Sequence, residues 1–90
     1  MSSVAPVMLY ALSTCLFCKK TKRLLDDCAV QYLAIDVDLL GDQEKDAALA
    51  EMNRYNPRAS FPTIIVGDVV IVGFRESEIK KAVETLAHGR

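Results

Sequence analysis

Met8-Leu9-Tyr10-Ala11-Leu12-Ser13-Thr14-Cys15-Leu16-Phe17-Cys18 runs from a short apolar strand, through a polar loop, into an amphipathic helix. Phe17, Thr21, Leu24, Leu25 and Cys28 recur at helical spacing and predict one face of that helix, which should run from Cys15 or Leu16 to Asp27. Two thiols separated by two residues can close a disulfide or hold a metal. Only Cys15 can also sit at the helix N-terminus, where unpaired backbone N–H groups and the macrodipole favour a thiolate. Strand, loop, dithiol and helix in this order form a redox signature. Cys15 is the expected nucleophile. Cys18, one turn deeper, is the expected resolving thiol, because exchange needs a second sulfur to break the mixed disulfide formed by the first.

Lys19, Lys20, Lys22 and Arg23 crowd the first two turns of the helix. Cations there oppose the dipole, so helix stability does not explain them. Some of them, Lys19 foremost, are expected to lower the Cys15 pKa, while the others form a solvated basic face. Two competing readings of the pair are a structural one, two buried cysteines three apart, and a metal site. Structural zinc needs four ligands, and beyond the pair only Cys28 and His88 offer themselves, at unfamiliar spacings. No bound metal is expected, and Cys28 reads as core filler.

The rest of the chain supplies the frame. Val7 to Tyr10 is the first strand, and Gln31 to Asp38 is the second, with Tyr32, Leu33, Ile35 and Val37 as β-prone positions. Asp42 should cap a helix beginning at Gln43, which carries Ala48, Met52 and Tyr55 and stops at Asn56-Pro57. Thr63 to Val66 and Val69 to Val72, joined by Gly67-Asp68, read as a hairpin with a type II′ turn. Ser77 should cap a last helix with Ile79, Ala82, Val83, Leu86 and Ala87 inward, and Gly89 should end it. The order strand, helix, strand, helix, strand, strand, helix predicts an α/β domain spanning 1–90. Two crossovers and a hairpin make its four-stranded mixed sheet, with helices on the faces.

Ninety residues, 51% of them hydrophobic and 26% charged, suit one soluble core that needs no disulfide staples. A net charge of −1 argues against nucleic-acid or anionic-membrane partners. No basic region and apolar run open the chain, and three cysteines without an export signal fit a reducing compartment, so the expected location is the cytoplasm.

Two further segments carry chemistry. Phe61-Pro62-Thr63 puts a proline at the mouth of a strand, where a cis bond would leave the backbone of Phe61 free to pair with an extended substrate. Gly73-Phe74-Arg75-Glu76-Ser77 leads into the last helix, whose first N–H groups can receive a carboxylate.

With these three segments, the chain from Met8 to Leu86 resembles a glutaredoxin or glutaredoxin-like redoxin of the thioredoxin-fold superfamily. Cys15-Leu16-Phe17-Cys18 occupies the place of Cys-Pro-Tyr-Cys, and Phe61-Pro62 that of the Val-Pro pair whose proline is cis. The resemblance implies strand order 2-1-3-4 with the last strand antiparallel. It implies Cys15 as nucleophile and Cys18 as resolving thiol in disulfide reduction. It also implies a glutathione site: Arg58 by the glycyl carboxylate, and Glu76-Ser77 in place of the paired aspartates at the glutamyl end. Gly73-Phe74 replaces Gly-Gly and resembles the electron donors of ribonucleotide reductase, which thioredoxin reductase reduces. Leu12 stands where both groups carry lysine, and Leu16 stands for proline. Implied partners are disulfide-bearing proteins or glutathione mixed disulfides, with glutathione or a flavoprotein reductase as electron source, and the chain as a monomer. Some members of the resembled family carry iron–sulfur clusters on the same cysteines, which is the binding-protein alternative.

Overall fold

The computed structural model describes residues 7–88, and the side chains of Ala87 and His88 lie outside that description. The expectations for Ala87, His88, Gly89 and the first six residues therefore fall outside it too. Its elements are β1 (Val7–Ala11), α1 (Leu16–Asp27), β2 (Tyr32–Asp36), a 3₁₀ turn (Val37–Leu39), α2 (Asp42–Tyr55), β3 (Thr63–Val66), β4 (Val69–Val72) and α3 (Glu76–His88). The sheet order is β2-β1-β3-β4. β1 runs parallel to β2 and antiparallel to β3, which is antiparallel to β4. Only the first connection is thus a crossover between parallel strands. The second, through α2 and the 56–62 loop, delivers the chain to β3 running against β1, so β3 rather than the last strand alone reverses the sheet.

Alternation along β1 sorts the core into two layers. Val7, Leu9 and Ala11 join Ile64, Val66 and Ile71 against Cys18, Leu24 and Leu25 of α1 and Ile79 and Val83 of α3. Tyr10, with Met8 and Leu12 packed alongside, joins Ile65 against Val37 and Met52. The sheet is a sandwich filling, with two helices on one face and one on the other. Among the described residues, no helix is long and apolar enough to cross a membrane.

Several boundaries differ from the sequence reading. β2 ends at Asp36, because Asp38 turns away to take two hydrogen bonds from Ser13, at 2.8 Å from its N–H and 2.6 Å from its hydroxyl. Gly41, not Asp42, is the N-cap of α2: its carbonyl accepts from Lys45 N–H at 2.7 Å, and Asp42 complements the dipole from inside the first turn. Tyr55, at the end of α2, is 42% exposed, and Leu49 packs inward with Ala48 and Met52 instead. The hairpin turn holds Gly67 at φ +59, the left-handed first position that a type II′ turn requires.

Candidate active site

Register explains why three separate segments meet. Tyr10 pairs with Thr63, and Thr63 with Val72. The exit of β1, the entry of β3 and the exit of β4 therefore share one end of the sheet. The cysteines follow β1, Phe61-Pro62 precedes β3, and Gly73-Phe74 follows β4. Asp36 lies at this end too, in register with Ala11.

Cys15 is the N-cap residue of α1, in extended conformation, and its Sγ accepts the Cys18 backbone N–H at 3.2 Å. A sulfur at this position takes the role that Ser or Asp fills at an ordinary cap. The Cys15 N–H donates to the Leu12 carbonyl at 3.1 Å, which closes the loop ahead of the helix, and the Leu12 side chain packs toward Tyr10 and Met52. Cys15 is half-buried, and Cys18 is fully buried against the α1/α3 core. Burial, then the hydrogen bond and charge of Cys15, push the Cys18 thiol up to about 12, partly countered by a backbone hydrogen bond with Leu12 and then by the Lys22 charge. The two sulfurs are chemically distinct: one reachable, the other protonated and enclosed.

The four cations do not act as one face. Lys20 places its Nζ 5.4 Å from the Phe17 ring centroid, and Lys22 pairs with Asp36 at 2.9 Å. Lys19 and Arg23 are exposed. Among the described residues, no hydrogen bond or ion pair joins the Lys19 side chain to either thiol.

The Phe61-Pro62 bond is cis. Its loop is held by Asn56, a buried residue that the sequence reading treated only as the end of a helix. Asn56 Nδ2 donates to Thr63 Oγ1 at 3.0 Å and to the Ser60 carbonyl at 3.2 Å, while its Oδ1 accepts from Arg58 N–H at 3.2 Å. Thr63 Oγ1 donates to the Ser60 carbonyl at 2.7 Å. An asparagine preceding a proline at a helix end signals such a role, but its partner Thr63 becomes visible only once the loop is folded. The Arg58 side chain itself is exposed. Phe61 is half-buried and packs against both core layers.

Gly73 donates its N–H to the Pro62 carbonyl at 2.8 Å, which ties the two segments together. It does so at φ +90, a conformation that favours glycine. Phe74 then stacks on Phe17, with centroids 6.4 Å apart and planes inclined by 23°. Phe17 is 53% exposed rather than part of the buried helix face, which is made by Cys18, Thr21, Leu24 and Leu25. α3 begins at Glu76, and the Arg75 carbonyl takes its first helical bond from Ile79 at 2.9 Å. Ser77 is thus inside the helix and does not cap it: the Gly73 turn, and Arg75 Nε donating to the Val72 carbonyl at 3.1 Å, start the helix earlier. Glu76 is exposed and pairs with Lys80 at 3.2 Å.

A strand-to-helix dithiol beside a cis proline, on a four-stranded sheet of order 2-1-3-4 with three helices, defines a thiol redox protein of thioredoxin-like fold. The family model for glutaredoxin matches residues 7–71, and the chain belongs to the glutaredoxin family. Methanosarcina acetivorans methanoredoxin is 46% identical over 86% of this chain and 82% of its own, with a TM-score of 0.83. The glutaredoxin of Methanosarcina mazei Go1 is 44% identical over 92% of this chain and 84% of its own, with a TM-score of 0.81. An uncharacterized glutaredoxin-like 8.6 kDa protein in the rubredoxin operon of Clostridium pasteurianum is 31% identical, covering 87% of this chain and 97% of its own. The family match spans the dithiol and Pro62 and stops before Gly73.

Proposed function

We propose that the protein is a thiol–disulfide oxidoreductase in which Cys15 attacks and Cys18 resolves. The Cys15 thiolate displaces one sulfur of a substrate disulfide and forms a mixed disulfide. Cys18 then gives up its proton and attacks Cys15 Sγ, closing the intramolecular disulfide and releasing the second substrate thiol. The observation that carries this reading is the asymmetry of the pair: a reachable sulfur receiving an N–H at 3.2 Å, beside a buried partner held as the thiol. Lys19 adds positive charge to the Cys15 turn in this proposal.

Substrates are protein disulfides or glutathione mixed disulfides, laid along the backbone of Phe61 as an added strand next to Pro62. Glutathione, as reductant, would set its glycyl carboxylate by Arg58 and its glutamyl end at Gly73, Phe74, Glu76 and Ser77, where the first-turn N–H groups of α3 lie. A second reading, reduction by thioredoxin reductase, is favoured by two observations. Phe74 covers Phe17 where a second glycine would leave space, and Glu76 is already engaged by Lys80. Supplying the oxidised protein separately with glutathione plus glutathione reductase, and with thioredoxin reductase, separates the two by NADPH consumption. No consumption with either, for a protein whose dithiol oxidises and reduces, would overturn both.

A further inference from the structure

Outside the reacting sulfurs, α1 carries one ion pair that is largely withdrawn from solvent among the described residues, Lys22–Asp36. Lys22 follows Cys18 by four residues, one helical turn along the same side of α1. Its Nζ donates to both Asp36 oxygens, at 2.9 and 3.2 Å, and the two side chains are 29% and 24% exposed. Asp36 closes β2 in register with Ala11, so it sits at the site end of the sheet and holds the ammonium beneath the first turns of α1. An exposed lysine gains little from a surface partner. A half-buried one, clamped bidentately one helical turn from an enclosed thiol, is a fixed positive charge in a medium that screens it weakly.

We propose that Lys22, anchored by Asp36, is a positioning residue for the resolving step: its fixed charge stabilises the Cys18 thiolate that must form before the mixed disulfide opens. This rests on the assignment of Cys18 as resolving thiol. In the step, Cys18 loses its proton to solvent, its sulfur bonds to Cys15 Sγ, and the Cys15–substrate S–S bond breaks with both its electrons on the leaving thiolate. No other oxidant or reductant is needed. Burial and Cys15 oppose ionisation of the Cys18 thiol, while a backbone hydrogen bond with Leu12 and, after it, the Lys22 charge favour it. Asp36 on β2 holds Lys22, while Asp26, the other acid near this side of α1, is engaged by the Tyr32 hydroxyl at 3.0 Å.

The test uses 5,5′-dithiobis(2-nitrobenzoate) with the fully reduced protein in a Cys28→Ser background, so that the third, half-buried thiol releases no nitrothiobenzoate of its own. One nitrothiobenzoate is released when Cys15 attacks, and a second when Cys18 resolves, so stopped-flow absorbance records both steps in one trace. Cys18→Ser identifies the second phase by removing it. Lys22→Gln should slow the second phase: a roughly tenfold loss of thiolate, set against a Brønsted coefficient near 0.5, gives a step about threefold slower. The first phase should change less than the second, and Lys22→Arg should restore the second phase, which a general loosening of the helix would not allow. An unchanged second phase in Lys22→Gln overturns the inference and leaves the dithiol assignment intact. A first phase that persists in Cys15→Ser would instead overturn the assignment, and the inference with it.

Discussion

The two ends of the sheet are built from different materials. At the end where β1 and β4 stop and β3 begins, backbone and side chains are arranged around exceptions: a sulfur as helix cap, a cis proline, a glycine at φ +90 and two stacked, partly exposed phenylalanines. At the other end, where Val7 pairs with Val66 and Tyr32, the Gly67-Asp68 turn and the end of α1 close the chain by ordinary local rules. Substitutions at the first end should therefore cost chemistry with little loss of stability, and those at the second the reverse.

Cys15→Ser gives the largest effect expected: disulfide reduction falls to the uncatalysed background with the thermal midpoint nearly unchanged. Cys18→Ser should keep the first exchange and accumulate mixed disulfide on Cys15, visible as a mass increment on the peptide containing residue 15 after glutathione disulfide treatment. Leu25→Ala, on the buried face of the helix that follows Cys15 and carries Cys18, should cost about 2–5 kcal/mol by denaturant titration. It should leave unchanged which cysteine reacts first.

Asn56→Ala probes the border between the two behaviours. It removes the donor shared by Thr63 and the Ser60 carbonyl and should cost about 1–3 kcal/mol. Because that network holds the loop of Pro62, activity with a protein disulfide should fall as well; a purely structural loop would lose stability alone. At the far end, Gly67→Ala puts a side chain on a residue at φ +59, with the new Cβ 3.4 Å from Leu86, and should cost about 1 kcal/mol. Ala29→Gly should gain about as much, since Ala29 already occupies φ 57 after α1. Both should leave turnover where it was, and a change in rate at either would blur the division between the ends.

The smallest effect concerns acid. Hydrogen bonds from Ser13 hold the Asp38 carboxyl below its ordinary value, so whatever this contact adds is present above the ordinary carboxylate range and is lost as pH falls through the lowered value. Ser13→Ala should move the Asp38 titration, followed by NMR of its side-chain carbon, back up toward that ordinary range.

Much of this was legible in the sequence because it is local. The dithiol after a strand, the proline before another and the Gly-Asp turn between two valine runs each carry their meaning within a few residues. What was not legible depends on distant partners. Asp38 leaves β2 because Ser13, 25 residues away, needs an acceptor, though the apolar alternation continues through Val37. Phe17 fits the buried helical period, yet Cys18 takes the inward place in that turn and the Phe17 ring meets Phe74 instead. Ser77 has the chemistry of a cap, but the Gly73–Pro62 hydrogen bond has already fixed where α3 begins. Lys22 looked like one of four solvated cations until register put Asp36 beside it.

Brief alkylation of the fully reduced protein with iodoacetamide at neutral pH, followed by peptide mapping, tests the central asymmetry most directly. The account predicts label on Cys15, little on Cys18, and a Cys15–Cys18 disulfide when the unlabelled protein is oxidised. Label on Cys18 ahead of Cys15, or no bond between them under oxidant, would contradict it.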